Sequence, residues 1–518
     1  MIQLFTVINE RQFEFDNIGI SRISAFLRSN GIDVKTTYIY QEYAKEEMKK
    51  IDLTCEMFGF SAYNTNIDFI FNIAKMIKER NSKKIVFLGS RFASDAADLI
   101  LEESQDIDFI VLGHGEYPLL DFFSLYRNGK NLEEIYDMLP NIKARNHLIG
   151  KEDCSSEINT LVWPERDYIT ARNNLTVNIC SSHGCMGKCS FCSVTEKKHK
   201  WSGRNANDIF SEVKMIYEKY GIRFFNIVDG SFEDLGLIGK ERIKKFCQYL
   251  IDFPVKFCFR CYIRAESFKD KKEDIELIQL MAKAGFTNIS FGIDAGNEKD
   301  LLLYNKRATL EDNNSAINLF NLNGINPLYG FIFLNPYSDE ERIAQNYEFL
   351  THHKCDEMGN FTNILQVFIN TPIYLKLKYD CLLKNDYSYK SIYGYNFLNR
   401  YANQLFNFIN DKIKKSPIAR SAYDYFNFKN LYNDMYFMNM IPEKLEEQKK
   451  ILKENISQCL HDYFRELYIK QNFSMSEFEK FEYNLGDLHE SARKIHMKLA
   501  RDALKLSRLT SSDKATYL

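Results

Sequence analysis

The chain has 518 residues, with 68 Lys and Arg against 70 Asp and Glu and a formal charge of -2. With that near balance and no sustained basic stretch, a polyanionic partner such as nucleic acid is not expected. The length exceeds the ~250–300 residues at which single cores stop growing, so two or three domains are expected. No run approaches the ~20 apolar residues needed to span a bilayer, so no membrane partner is expected. The 12 cysteines are spread unevenly behind a start, MIQLFTVIN, that has neither a basic leader nor a cleavage site. They read as a reduced cytoplasmic pool and not as a disulfide framework.

From residue 1 to 128, IQLFTVI, DVKTTYIY, CEMFGFSAY, KKIVFLG and IDFIVLG read as strands, with helix-like segments such as ISRISAFLRSNG and NIDFIFNIAKMIKER between them. Alternation at this length predicts an α/β domain, a doubly wound Rossmann-like parallel sheet covered on both faces. Such a domain binds ligands beyond the carboxyl ends of its strands. The residues expected there are Ser61, Ser90, Gly113 and His114, the last being the sole histidine of this domain. Residues 129–171, with Pro140 and Pro164, break the periodicity and read as a linker.

From 172 to 370 the alternation resumes. NLTVNIC, RFFNIVDG, VKFCFRCYI, TNISFGIDAG, NPLYGFIFLN and TNILQVFI are six strand candidates, which suits an open, partial TIM-type barrel with its chemistry at the carboxyl ends. The stretch CSSHGCMGKCSFCSV follows the first of them. Cys185, Cys189 and Cys192 offer three thiolates where a four-iron cluster would need four, and Gly184 and Gly187 relieve the tight wrapping. A zinc site completed by His183 or Cys180 is the alternative on spacing alone.

The cysteine stretch, with Phe191 just before its last cysteine, resembles the radical S-adenosylmethionine (SAM) superfamily. The resemblance implies a [4Fe-4S] cluster on Cys185, Cys189 and Cys192, with SAM chelating the fourth iron and cleaved there to a 5'-deoxyadenosyl radical. It also implies SAM contacts from Asp229 and Ser231 in VDGSFED, Arg264 in FRCYIRAESF, and Asp294 in FGIDAG, where the family commonly has Glu. The first domain resembles the cobalamin-binding domain upstream of the barrel in one branch of that superfamily. It lacks the Asp-x-His-x-x-Gly loop found in many such domains, the corresponding loop being NERQFEFDNIG. Cobalamin held by the Ser61, Ser90, Gly113 and His114 loops is the implied cofactor, and a vestigial domain that binds nothing is the alternative.

Residues 371–518 read as helical, with amphipathic segments such as PEKLEEQKKILKENISQCLHDYFRELYIKQ, and form a cap that closes the barrel or docks substrate. This part carries no Cys-rich run, so auxiliary clusters are not expected. The resemblance implies a radical SAM enzyme, most simply a cobalamin-dependent carbon methyltransferase that uses two SAM molecules per turnover. Its partners would be a small-molecule or peptide substrate and a flavodoxin- or ferredoxin-type electron donor. The competing readings are a cobalamin-independent epimerisation, cyclisation or rearrangement, and a non-catalytic iron–sulfur sensor or scaffold. Epimerisation would need a thiol hydrogen donor, for which Cys355 and Cys381 are candidates beside Cys258 and Cys261.

Overall fold

A computed structural model describes residues 1–8, 17–147, 162–166, 168–169, 176–194 and 201–508. Asp167 of the expected linker, and most of the loop that begins at Asn9, lie outside them. The first sheet contains β1 (Ile2–Ile8), β2 (Val34–Tyr40), β3 (Met57–Ser61), β4 (Ile85–Gly89), β5 (Phe109–Val111) and β6 (Ile142–Ala144) in the order β2-β1-β3-β4-β5-β6. Every residue of β1 and β3 is buried. Alternate side chains enter two cores: Phe5, Phe58, Phe60 and Leu88 on one face, Ile2, Leu4, Met57 and Phe87 on the other. This is the two-residue period of a sheet covered on both sides, which a one-residue slip would invert.

β1 to β5 are parallel, whereas β6 runs antiparallel to β5. The first domain therefore runs past residue 128 and takes in a helix, Leu132–Met138, and a strand from the expected linker. Asn131 caps that helix in a capping box with Glu134, a local signal that fixes its start. The order β2-β1-β3 places a topological switch between β1 and β3, with a crevice at the carboxyl ends.

The second sheet has five parallel strands, β7 (Thr176–Ile179), β10 (Phe224–Ile227), β11 (Cys258–Ile263), β12 (Phe286–Asp294) and β13 (Asn326–Phe331), in the order β13-β12-β11-β10-β7. Two-residue strands β8 (Ser182–His183) and β9 (Ser202–Gly203) form a small ribbon above it. The expected sixth strand, TNILQVFI, contributes one parallel bridge, Leu334 to Ile364. Helices make up most of residues 400–508 as expected, and helix Pro417–Phe437 packs on the amino end of the barrel, the end away from the cysteine loop. Asp434, on helix Pro417–Phe437, accepts from Arg260 Nη2 at 2.6 Å, from Asn288 Nδ2 at 3.1 Å and from Thr287 Oγ1, all near strand starts. Lys429 of the same helix pairs with Asp356 and Glu357 at 2.7 Å each.

Candidate active site between the two domains

The cysteine loop lies across the carboxyl ends of β10 to β12. At one side the Met186 N–H donates to Asp234 Oδ2 at 2.8 Å. At the other, Ser190 donates from its N–H to the Tyr304 carbonyl and from its hydroxyl to the Leu303 carbonyl, both at 2.8 Å. A methyl group at Gly187 would sit 3.3 Å from Cys185 Sγ, 3.8 Å from Cys189 Sγ and 3.9 Å from Arg264 Cδ. The glycine thus keeps clear the hollow flanked by those thiols, which fits a compact inorganic cluster.

Burial raises all three thiols, Cys185 to about 11, Cys189 to about 12, and Cys192 upward as well, with the other thiols of the set adding in the same direction for Cys185 and Cys189. Thiolate ligation by these residues would therefore release protons. Among the described residues, no three His, Cys, Asp or Glu side chains converge closely enough to hold one ion. Cys180 and His183, the candidates to complete a zinc set, instead line a cavity toward the first domain.

Around this loop stand the residues expected at the SAM site. Asp229 is buried and engaged inside the fold: its carboxylate accepts from the Ser181 N–H at 2.7 Å, the Ser182 N–H at 3.0 Å, the Ser182 hydroxyl at 2.7 Å and the Ser181 hydroxyl. Burial raises its pKa, opposed by Arg242 and these donors. Its evident work is to brace the turn between β7 and the cysteines. Ser231 is likewise buried and donates to Glu233 Oε2 at 2.7 Å. Arg264 lies against Gly187 and pairs with Glu233 at 3.2 Å and Asp234 at 2.5 Å. Asp294 sits at φ 61°, where β12 loses register with β13, and meets Lys306 Nζ at 2.8 Å. Burial opposes the Lys306 charge, but Asp294 and Cys189 outweigh it and hold the ammonium above its ordinary value.

Lys306, Glu233 and Asp234 were not anticipated from the sequence. Glu233 and Asp234 stand two and three residues from Ser231, so the VDGSFED run carried a signal for them. Lys306 carried none, because the β12 turn alone brings it to Asp294.

The crevice of the first domain opens into a cavity of about 280 Å³ that is walled by both domains. Ser61, Ser90, Gly113 and His114 line one side, and Cys180, His183 and Val228 the other. The cavity continues between the sheet and its covering helices past Leu4, Phe87 and Leu119, so its deep end is apolar. The His114 and His183 rings stack at 4.4 Å, and Arg22 Nη1 lies 2.6 Å from His183 Nε2. Ser90 holds φ 146° while its hydroxyl accepts from the Ala93 N–H and donates to the Ala62 carbonyl, which fixes the rim. A Cβ at Gly89 would meet nothing within 4 Å, so this strand end faces open space. Phe60 stacks on Phe5 at 4.6 Å and Phe92 on Tyr389 at 5.9 Å, which ties these rings to the protein core and to the barrel domain. Arg91 lies within electrostatic reach of Cys192, so the two sites are neighbours.

Two family models match the chain, the B12 binding domain over residues 6–123 and the radical SAM superfamily over residues 179–350. The chain belongs to the radical SAM superfamily and carries a B12-binding domain ahead of its barrel. Among curated relatives it is 25% identical to an anaerobic magnesium-protoporphyrin IX monomethyl ester cyclase of Cereibacter sphaeroides over 56% of this chain and 47% of that one. It is 23% identical to a hopanoid C-3 methylase of Methylococcus capsulatus over 68% of this chain and 66% of that one. The chain spans about half the length of the first of these relatives. The fold is that of OxsB, a cobalamin-dependent SAM radical enzyme solved with aqua-cobalamin and SAM, at a TM-score of 0.71 and 17% identity over 99% of this chain and 82% of that one. It also matches the radical SAM methyltransferase TsrM of Kitasatospora setae, at 0.59 and 14% identity over 78% and 82% of the two chains. At such identities these structures speak for the fold. The two domains imply a [4Fe-4S] cluster, SAM and cobalamin.

The candidate hydrogen donors lie elsewhere in the radical SAM protein. Cys355 is buried at the amino end of the barrel, near Asn326 at the start of β13 and under helix Glu443–Tyr468, and burial raises its thiol to about 12. Cys381 is exposed on the surface. Cys355 is not brought to the cysteine loop. No described helix is long and apolar enough to cross a membrane.

Proposed function

We propose that this chain is a cobalamin-dependent radical SAM enzyme that methylates an unactivated carbon of a small molecule or peptide. The observation that carries the reading is the single cavity walled by the strand ends of the B12-binding domain and by Cys180, His183 and Val228 of the barrel. Methyl transfer needs a methyl carrier, SAM and substrate within reach of one another, and positioning supplies much of such a rate.

Cys185, Cys189 and Cys192 would hold the cluster. Arg264 and Lys306, whose charges are set by Glu233, Asp234 and Asp294, flank the space beside it and suit a ligand with both a carboxylate and an amine, as SAM has. Gly89 and the Ser61, Ser90, Gly113 and His114 loops would receive the corrin, and the apolar shaft past Phe87 its nucleotide tail. When bound, the cluster supplies one electron to the SAM sulfonium and cobalamin supplies a transferable methyl group. The protein's own part is to align the groups and to keep water and stray hydrogen donors away. Cys355 lies beside Asn326, at the start of β13 and away from the cysteine loop, so on this reading its thiol is not a quencher of a carbon radical there.

The test is product analysis after anaerobic reconstitution with iron, sulfide, hydroxocobalamin and SAM under low-potential reductant. Methylation chemistry gives S-adenosylhomocysteine together with 5'-deoxyadenosine. Formation of 5'-deoxyadenosine alone, with cobalamin bound, would move the assignment to a cobalamin-independent radical reaction.

A further inference from the structure

The inner face of the barrel sheet is polar where a barrel interior is ordinarily filled by layers of branched apolar side chains. Strand register sets Asn178, Asn226, Arg260, Asn288 and Asn326 side by side, one on each of the five strands. The residues that alternate with them, such as Phe225, Phe259, Cys261 and Ile289, point the other way into the hydrophobic core. There Phe246 of helix Gly236–Asp252 meets Phe259 edge to face at 5.4 Å. The polar row therefore faces the lumen. Asn226 Nδ2 donates to Asn178 Oδ1 at 3.0 Å and Asn326 Nδ2 to Asn288 Oδ1 at 3.1 Å, which ties the row together. Helix Pro417–Phe437 lies beneath it as a floor: Asn433 Nδ2 donates to Asn288 Oδ1 at 2.8 Å, and Asp434 answers the charge of Arg260 at 2.6 Å.

One layer nearer the cysteine loop, about 7 Å along the strands, stand Val228, Tyr262 and Ser290. Tyr262 and Ser290 are register partners, and Val228 also lines the cavity shared with the first domain. Tyr262 is 51% exposed although Cys261 and Ile263 on either side of it are buried. Burial nevertheless raises its phenol, so the exposed surface faces an enclosed space. Two residues further along the same strand, Arg264 lies against Gly187 of the cysteine loop, so the lumen runs from that loop down to the row. Among the described residues, the Tyr262 and Ser290 hydroxyls and Asn226 Oδ1 have no protein partner. Enclosed groups of this kind are satisfied by water or by a ligand.

We propose that Tyr262, Ser290 and Asn226 select the substrate, a small molecule that enters the lumen by an end bearing several uncharged hydroxyl or amide groups. The assignment rests on the proposed function in one respect, that the reacting carbon lies at the mouth of this barrel. Hydroxyls and amides both donate and accept, as the lumen requires. The charge of Arg260 is spent on Asp434, so the floor offers no open cation to a phosphate or carboxylate. A hydrocarbon would strip these groups of water and return no hydrogen bond, which is the stronger form of rejection.

The experiment is saturation-transfer NMR on the full-length reconstituted protein with SAM, using methyl glycosides, dipeptide amides, hexanol and hexose 6-phosphates as probes. The unaltered protein should saturate the glycosides or the amides and leave hexanol silent. Tyr262→Phe and Asn226→Leu should each weaken that binding about fivefold. Tyr262→Phe should melt with its parent, because its hydroxyl has no protein partner to lose, and it carries the comparison alone if Asn226→Leu does not fold. Transfer to the glycosides alone makes the substrate sugar-like, and transfer to the amides alone makes it peptide-like. Saturation of hexanol alone, a hexose 6-phosphate that binds ahead of its uncharged glycoside, equal binding in parent and variants, or silence of every probe would overturn the assignment. None of these outcomes bears on methyl transfer, which is read separately from S-adenosylhomocysteine. Probe binding without that product would sink the proposed function and leave the lumen residues as assigned.

Discussion

A buried lysine is tolerated only beside its counter-charge, and Lys306, 3% exposed at its side chain and 2.8 Å from Asp294, is such a group. Asp294→Asn keeps the shape and suits the left-handed backbone at φ 61°, which asparagine adopts more readily than most residues. It removes the charge and leaves the ammonium buried alone, so denaturant unfolding should show a loss of about 3 kcal/mol. The Asp294→Asn with Lys306→Met double variant should recover part of that loss; purely additive effects would mean that the pair is not coupled. The cluster ligands give a second test: replacing Cys185, Cys189 and Cys192 together with alanine should abolish both the iron–sulfur absorption and SAM cleavage, and retention of a full cluster would transfer the assignment to other cysteines. The contrast between the two sites explains what was readable. Three cysteines within eight residues announce a metal or cluster site by their spacing, and the resemblance of their stretch to the radical SAM superfamily points to the cluster. Lys306 meets Asp294 across a turn of tertiary structure, and nothing near either residue in sequence announces the pair.

Elements were legible where their patterns were long. β1, β3 and the helix Ile67–Arg80 fall where periodicity puts them, because each buries a continuous face. β6 was missed because Ile142–Ala144 is three residues long beside Pro140, and only the edge of β5 makes it a strand. The expected strand TNILQVFI failed in the other sense: its apolar residues are buried by surrounding helices, and the sheet takes up one bridge of it. The helices at the amino end of the barrel carry their own test. His489, on helix Met475–Arg508, is 1% exposed, stacks on Tyr425 at 5.5 Å and faces the Ser421 hydroxyl at 2.9 Å. Burial holds its imidazole down at about 4 against an ordinary 6.5. The unfolded chain therefore takes up a proton first, so the stability contributed by neutral His489 is full above pH 6.5 and is lost as pH falls toward 4. Unfolding free energies from denaturant titrations at pH 7 and pH 5 should differ by roughly 1–2 kcal/mol more in the unaltered protein than in His489→Gln. Equal pH dependence in the two would remove His489 from the account.

At the scale of the whole molecule the claim is that two domains, each readable as a repeat of strands and helices, meet so that one crevice serves both. The sequence could give the two halves and a segment long enough to join them. It could not give their relative placement, which rests on contacts such as Asn370 Nδ2 to the Asp95 carbonyl at 2.9 Å, Lys390 to Asp68 at 2.6 Å, and Tyr389 on Phe92. Each of these joins residues some three hundred positions apart, with no local trace in either partner. The shared cavity makes a definite demand: a side chain placed at Gly89, where a Cβ meets nothing within 4 Å, should fill it without disturbing the sheet. The most direct measurement is therefore the visible spectrum after anaerobic reconstitution with excess hydroxocobalamin and gel filtration, on the unaltered protein and on Gly89→Leu. The account predicts about one cobalamin per chain in the former and little or none in the latter, with the iron–sulfur absorption equal in both. An unaltered protein that stays colourless in the corrin bands, or a Gly89→Leu protein that binds cobalamin as well as its parent, would contradict it.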